Sequence, residues 1–180
     1  MVIYVIIVIV NINIENNHML TGSDYYNSLP KKRMGSGVLF FNNKGELLVL
    51  KPSYKDGYEI PGGSIELDES PRKAVLREVE EEIGIDVYSS EIAKLLCVDY
   101  QDAVEPKTES IMFIFDGGIL SDEKLSQIKV DGKEIIDFKF INQDDVLKYL
   151  TRVVGRRVQQ ALIARRNNSC VYLENRELVV

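Results

Sequence analysis

Two cysteines, one histidine and no lysine or arginine before Lys31 are the scarcities of this 180-residue chain. Cys97 and Cys170 lie far apart and fit no metal-ligand spacing, so two reduced, buried thiols are expected. The single histidine, His18, is given no catalytic role. Without an early basic residue or a small-residue cleavage site, the N-terminus does not read as a secretory signal. Nor is a membrane span expected: MVIYVIIVIV is ten apolar residues, about half the length a spanning helix needs, and Asn11, Asn13 and Glu15 break the apolar character beyond it. Two readings of residues 1–18 stay open, a β-branched strand that adds to a sheet edge or a homodimer partner, and an artefact of start-codon choice with translation beginning at Met19. A net charge of -6 leaves little basic surface, which argues against nucleic acid as an obligatory partner. Free nucleotides remain compatible, because a bound cation can provide the positive charge. With 45% apolar residues and no repeat or low-complexity tract, residues 19–180 are read as a single domain with a sizeable core, cytoplasmic by default.

What the chain does have is Gly63 to Ile85, GSIELDESPRKAVLREVEEEIGI, where a glycine loop runs into a carboxylate-rich helix. Gly62 and Gly63 allow close backbone approaches after the stiffening Pro61. Ser70 suits an N-cap, Pro71 the first helical position and Gly84 the left-handed residue past the end, which predicts a helix from Pro71 to Ile83. At ~100° per residue, Val75, Leu76, Val79 and Ile83 share one quadrant while Glu78, Glu81 and Glu82 gather beside it. Like charges so spaced repel, and carboxylate oxygens suit Mg²⁺ or Mn²⁺. A solvated acidic face is the plainer reading of that spacing, and the residues alone leave both open.

These residues match, without departure, the box G-x5-E-x7-R-E-U-x-E-E-x-G-U of the Nudix hydrolases: Gly63, Glu69, Arg77, Glu78, Val79, Glu81, Glu82, Gly84 and Ile85. Seven fixed residues at roughly one in fifteen each would meet by chance in only ~1 in 10⁶ chains of this length, which decides against the solvated face. The resemblance runs from about Met34 to about Ile141. It implies an α/β/α sandwich on a mixed sheet, and a metal-activated water cutting the diphosphate of a nucleoside diphosphate derivative. By position it implies Glu78, Glu81 and Glu82 as ligands of Mg²⁺ or Mn²⁺ with the Gly62 carbonyl, and Arg77 pairing with Glu69 to hold the loop on the helix. Gly63, Glu69 and Gly84 are then structural support. Glu78 is the first candidate for general base; Glu134 stands where some relatives carry a further acidic ligand or base, with Glu105 and Glu109 weaker choices.

Around the box, Asn42–Gly45 predicts a hairpin between two strands, followed by further strands over EIAKLLCVDYQD, ESIMFIFDGG and GKEIIDFKFI. QDDVLKYL reads as a short helix and TRVVGRRVQQALIARRN as an amphipathic one with Val154, Val158, Ala161 and Leu162 inward, its arginines a solvated basic face. CVYLENRELVV reads as a closing strand. Met19 to Arg33 is a polar lead-in whose Tyr25 and Tyr26 are expected to pack. Lys51 and Lys55 are candidate contacts to substrate phosphates, and Tyr100 resembles the tyrosine of dinucleoside polyphosphate hydrolases. Two rivals accompany the hydrolase: a non-catalytic nucleotide-sensing module, and a prenyl diphosphate isomerase for which Cys97 alone makes no case.

Overall fold

The computed structural model describes residues 22–92 and 94–179, and the chain forms two units, residues 1–31 and 32–180. The expected N-terminal strand, His18 and the alternative start at Met19 lie outside the described residues. Of the first unit, a short helix α1 (Gly22–Ser28) is described, where the sequence suggested only a polar lead-in. Tyr25 and Tyr26 are exposed and meet edge to face at 5.4 Å, so the packing expected of them is not found.

The second unit is built on one mixed sheet. Its strands are β1 (Arg33–Phe41), β2 (Leu47–Pro52), β3 (Gly62–Ser64), β4 (Lys94–Gln101), β5 (Ser110–Ile119), β6 (Ile135–Ile141), β7 (Val171–Glu174) and β8 (Glu177–Leu178). The order is β6-β2-β1-β5-β4-β7-β8, with β3 pairing β1; β1–β5 and β4–β7 are parallel and the other pairs antiparallel. The β1–β2 hairpin closes as predicted, Phe41 opposite Leu47, with the Gly45 amide on the Asn42 carbonyl at 2.9 Å. The expected closing strand is instead a small hairpin, β7 and β8.

Central strand β1 is buried on both faces, so its apolar residues run continuously instead of alternating with polar ones. Val38 and Phe40 pack with Val75, Val79 and Ile83 of helix α2 (Pro71–Ile83); Leu39 and Phe41 pack on the other face with Val158, Ala161 and Leu162 of a C-terminal helix. Between the two lie α3 (Asp122–Gln127) and α4 (Val146–Tyr149); the C-terminal helix is α5 (Arg152–Arg166). At about 1.5–3 kcal/mol for each fully buried aliphatic or aromatic side chain, these two clusters pin both helices to the sheet. Helices on both faces make the α/β/α sandwich that the resemblance implied.

Two expectations about the C-terminal part are corrected. Cys97 is buried but Cys170 is exposed. The arginines of α5 do not form one solvated face. Arg157 is buried and paired with Asp99, while Arg165 bonds Asp116 at 3.0 Å and stacks on Phe41 at 4.3 Å. Only Arg152 and Arg166 of the five are exposed. Among the described residues no helix is long and apolar enough to cross a membrane.

Candidate active site

Helix α2 begins and ends where its local chemistry demands. The Ser70 hydroxyl accepts the Lys73 amide, Pro71 opens the helix without needing a donor, and Gly84 takes φ 67°, with its amide on the Glu80 carbonyl. The preceding glycines are not a free loop. They form β3, with Gly37 opposite Gly62 and Ser36 opposite Gly63. Gly62 has φ 141°, and a Cβ there would come within 2.5 Å of the Gly37 Cα. Only glycine meets both conditions.

A cleft of about 670 Å³ is lined by β1, β3, β5 and α2, together with Val154 and Arg157 of α5. Five carboxylates share its lining, Glu59, Glu78, Glu81, Glu82 and Glu134, with Lys32, Arg33 and Arg157 as cations. Arg77 organises the acidic wall. Its Nε and Nη2 bond the two Glu69 oxygens at 3.0 Å each, Nη2 also reaches the Ser64 carbonyl at 3.0 Å, and Nη1 donates to Glu78 and Glu81 at 3.0 Å each. The guanidinium thus ties loop to helix, the pairing expected of Arg77 and Glu69.

Glu82 accepts the Gly62 amide at 2.8 Å. Burial, reinforced by Glu78, Glu134 and Glu59, outweighs that bond and pushes its carboxyl up to about 8. Glu78 is raised as well, by burial first and then by Glu81 and Glu134, against the lowering effect of Arg77. Glu69 is held below the usual range by Arg77.

This donor set fits a hard divalent cation. Carboxylates line a partly buried cleft where burial, with neighbouring like charges, raises two of them, and the Ser36 hydroxyl, 1% exposed, has no hydrogen-bond partner among the described residues. The carboxylates are not pre-arranged around one point: among the described residues no three acidic, histidine or cysteine groups already converge at metal-binding distance. Glu78 and Glu81 are turned to Arg77 and Glu82 to Gly62. Gly62 engages the acidic wall through its amide here, where the sequence suggested its carbonyl.

The remaining candidates divide. Glu134 lines the cleft just before β6; its amide donates to Asp131 at 3.0 Å and its carbonyl accepts from Ser53 at 2.8 Å. Glu105 and Glu109 do not line it, and Glu109 is engaged by Lys32 and the Tyr100 hydroxyl. The three substrate-contact candidates are not brought to it either. Lys51 donates to the carbonyls of Lys55 and Gly57 at 3.0 and 3.2 Å, Lys55 pairs with Glu59, and Tyr100 faces Glu109. Short-range satisfaction of those ammonium groups wins over reach into the cleft.

Sequence reading passed over Glu59, Ser36, Asp99 and Arg157. Two carried a signal. Asp99 interrupts the apolar run LLCVDYQ of β4, and Arg157 falls ~60° from Val154 and ~40° from Ala161 on α5, inside the apolar arc. A charge on each of two buried surfaces marks a buried ion pair.

An α/β/α sandwich with a glutamate-lined loop–helix cleft is the class that fold and site define. The chain belongs to the NUDIX family: the model of the NUDIX domain matches residues 31–162. It is similar to an RNA pyrophosphohydrolase of Marinomonas sp. (strain MWYL1), 35% identical over 60 residues, 33% of this chain and 37% of that protein. It is also similar to an 8-oxo-dGTP diphosphatase of Proteus vulgaris, 35% identical over 75 residues, 40% of this chain and 67% of that one. The match thus spans little more than a third of the first relative's length. Among solved structures, the MutT protein from Methanosarcina mazei Go1 is 25% identical with a TM-score of 0.58, over 78% of this chain and 99% of that one.

Proposed function

We propose that the chain hydrolyses the diphosphate linkage of a nucleoside diphosphate derivative: a nucleotide, a nucleotide sugar, ADP-ribose or a dinucleoside polyphosphate. The observation that carries the reading is the acidic wall itself, in which the intact box lines a cleft with Glu78, Glu81 and Glu82 beside Glu59 and Glu134. Glu78, Glu81 and Glu82, with the Gly62 carbonyl, would hold Mg²⁺ or Mn²⁺. When bound, the cation neutralises charge on the bridging phosphate oxygens and acidifies water. The protein's own part is positioning. Arg77 fixes Glu78 against the loop through Glu69, and the Gly62 amide orients Glu82. Glu78 takes the proton from the attacking water, with Glu134 as the second acid–base group. Lys32 and Arg33 add positive charge to the cleft lining for the rest of the phosphate chain.

The names of the relatives widen the test to RNA and 8-oxo-dGTP. The experiment is a hydrolysis panel with Mg²⁺ and Mn²⁺ over nucleoside triphosphates, 8-oxo-dGTP, ADP-ribose, nucleotide sugars, dinucleoside polyphosphates and a 5′-triphosphate RNA. Wild type and Glu82→Gln are assayed together. Cation-dependent turnover of a panel member, lowered on the order of 10²-fold to 10⁴-fold in the variant, is the expected result. Cation-dependent nucleotide binding without any turnover replaces the hydrolase by a sensing module.

A further inference from the structure

Another part of the cleft lining has a different chemistry. Gly37 is bare, and the side chain of Ile60 fills the space a Cβ would need; Met112 does the same over Gly35. With Ile114 and Val154 these side chains make an apolar lining that carries one buried cation, Arg157, 5% exposed. Arg157 is not mobile charge. Its Nε and Nη2 both lie 2.8 Å from Asp99 Oδ2, and Asp99 is fully buried. Asp99 is itself held, Oδ1 by the Arg176 amide at 3.0 Å and Oδ2 by Gln101 at 2.8 Å. Among the described residues no group accepts from Arg157 Nη1, and the Nη2 hydrogen turned away from Asp99 has no acceptor either, which leaves an end-on pair of donors on a residue that lines the cleft.

We infer that Arg157, clamped by Asp99, reads the base of the substrate and selects a purine that presents adjacent acceptors at O6 and N7. The inference rests on the proposed nucleotide hydrolysis and names its substrate class, guanine or hypoxanthine nucleotides over adenine ones. Two arguments lead to a base in place of a phosphate. Asp99 neutralises the guanidinium, so an anion would find no net attraction there, whereas a planar ring gains from the apolar side chains around it. The guanidinium offers only donors, and a donor-only group matches O6 and N7 but opposes the N6 amino group of adenine. Arg33, which also lines the cleft and is bonded only to the uncharged Thr108, suits phosphate better.

The test is calorimetric binding of GMP, IMP, AMP and 7-deaza-GMP to the whole chain in EDTA, where neither turnover nor a cation contributes. GMP and IMP are expected to bind about tenfold tighter than AMP, and 7-deaza-GMP, which lacks the N7 acceptor, to fall towards AMP. In Arg157→Lys, which keeps a positive charge beside Asp99 but loses the fork, the ratio of GMP to AMP affinity is expected to approach one. Equal affinity for the purine monophosphates, no binding of any, or an unchanged ratio in Arg157→Lys overturns the inference. The wild-type ligand series stands even if the variant does not fold. A preserved base preference in a protein that hydrolyses nothing refutes the hydrolase reading alone; base-indifferent binding by an active hydrolase refutes this inference alone.

Discussion

Glu78 occupies the space that a side chain on Gly63 would need: a Cβ there would come within 2.5 Å of the Glu78 carboxyl carbon. The obstructed group is the tip of a flexible side chain, so Gly63→Ala displaces the carboxylate without breaking backbone. The variant is expected to melt within a few degrees of wild type while losing at least about tenfold in turnover, because a small misplacement of a catalytic group is costly. Paired melting curves and kcat measurements check it. Unchanged turnover would show that the position of Glu78 is not critical.

Gly62 is expected to behave the opposite way. Its φ of 141° and the crowding by Gly37 Cα and the Ser36 carbonyl involve backbone that cannot yield. Gly62→Ala should destabilise the fold by about 2–4 kcal/mol. Urea unfolding of both glycine variants side by side separates the two roles.

Glu69 and Arg77 set an acid limit. Arg77 lowers the Glu69 carboxyl below its ordinary 4.5, so near that pH the unfolded chain binds the extra proton. The stability this contributes is present above the unfolded value and is lost as pH falls through the folded one. Melting temperature should therefore drop between roughly pH 5 and pH 3 more steeply in wild type than in Glu69→Gln. Parallel slopes would mean that the pair contributes nothing to stability.

The two thiols should differ in reactivity. Burial, with the charge of Asp99, pushes Cys97 up to about 12, while Cys170 is exposed. At about pH 8, a disulfide reagent is expected to titrate one thiol in the folded protein and the second only in denaturant. Mass mapping that found Cys97 labelled first would contradict this packing of β4.

Much of the site was legible because its determinants are local. The Ser70 cap, Pro71, the Gly84 terminus and the spacing of Val75, Val79 and Ile83 act within a few residues of one another, and helix α2 runs as that pattern predicts. The hairpin at Asn42–Gly45 is local in the same sense. The lead-in helix was missed because GSDYYNS has neither an apolar stripe nor a distinct stop, and Tyr25 and Tyr26 find no core to enter.

The sequence by itself determined the family, the loop–helix box and the bringing of Glu78, Glu81 and Glu82 onto one helix edge, since helical periodicity needs no other part of the chain. Tertiary structure alone decided the rest. Arg157 meets Asp99 across 58 positions of sequence because α5 packs on the face of β4 from which that carboxylate points. Lys51 is drawn to nearby carbonyls and Lys55 to Glu59 of the cleft lining, so neither ammonium is left unpaired for a substrate, and Cys170 is left outside the core just before β7 begins. Which charges are neutralised and which face a ligand depends on long-range pairing in a partly dry interior, and neither spacing nor composition encodes that.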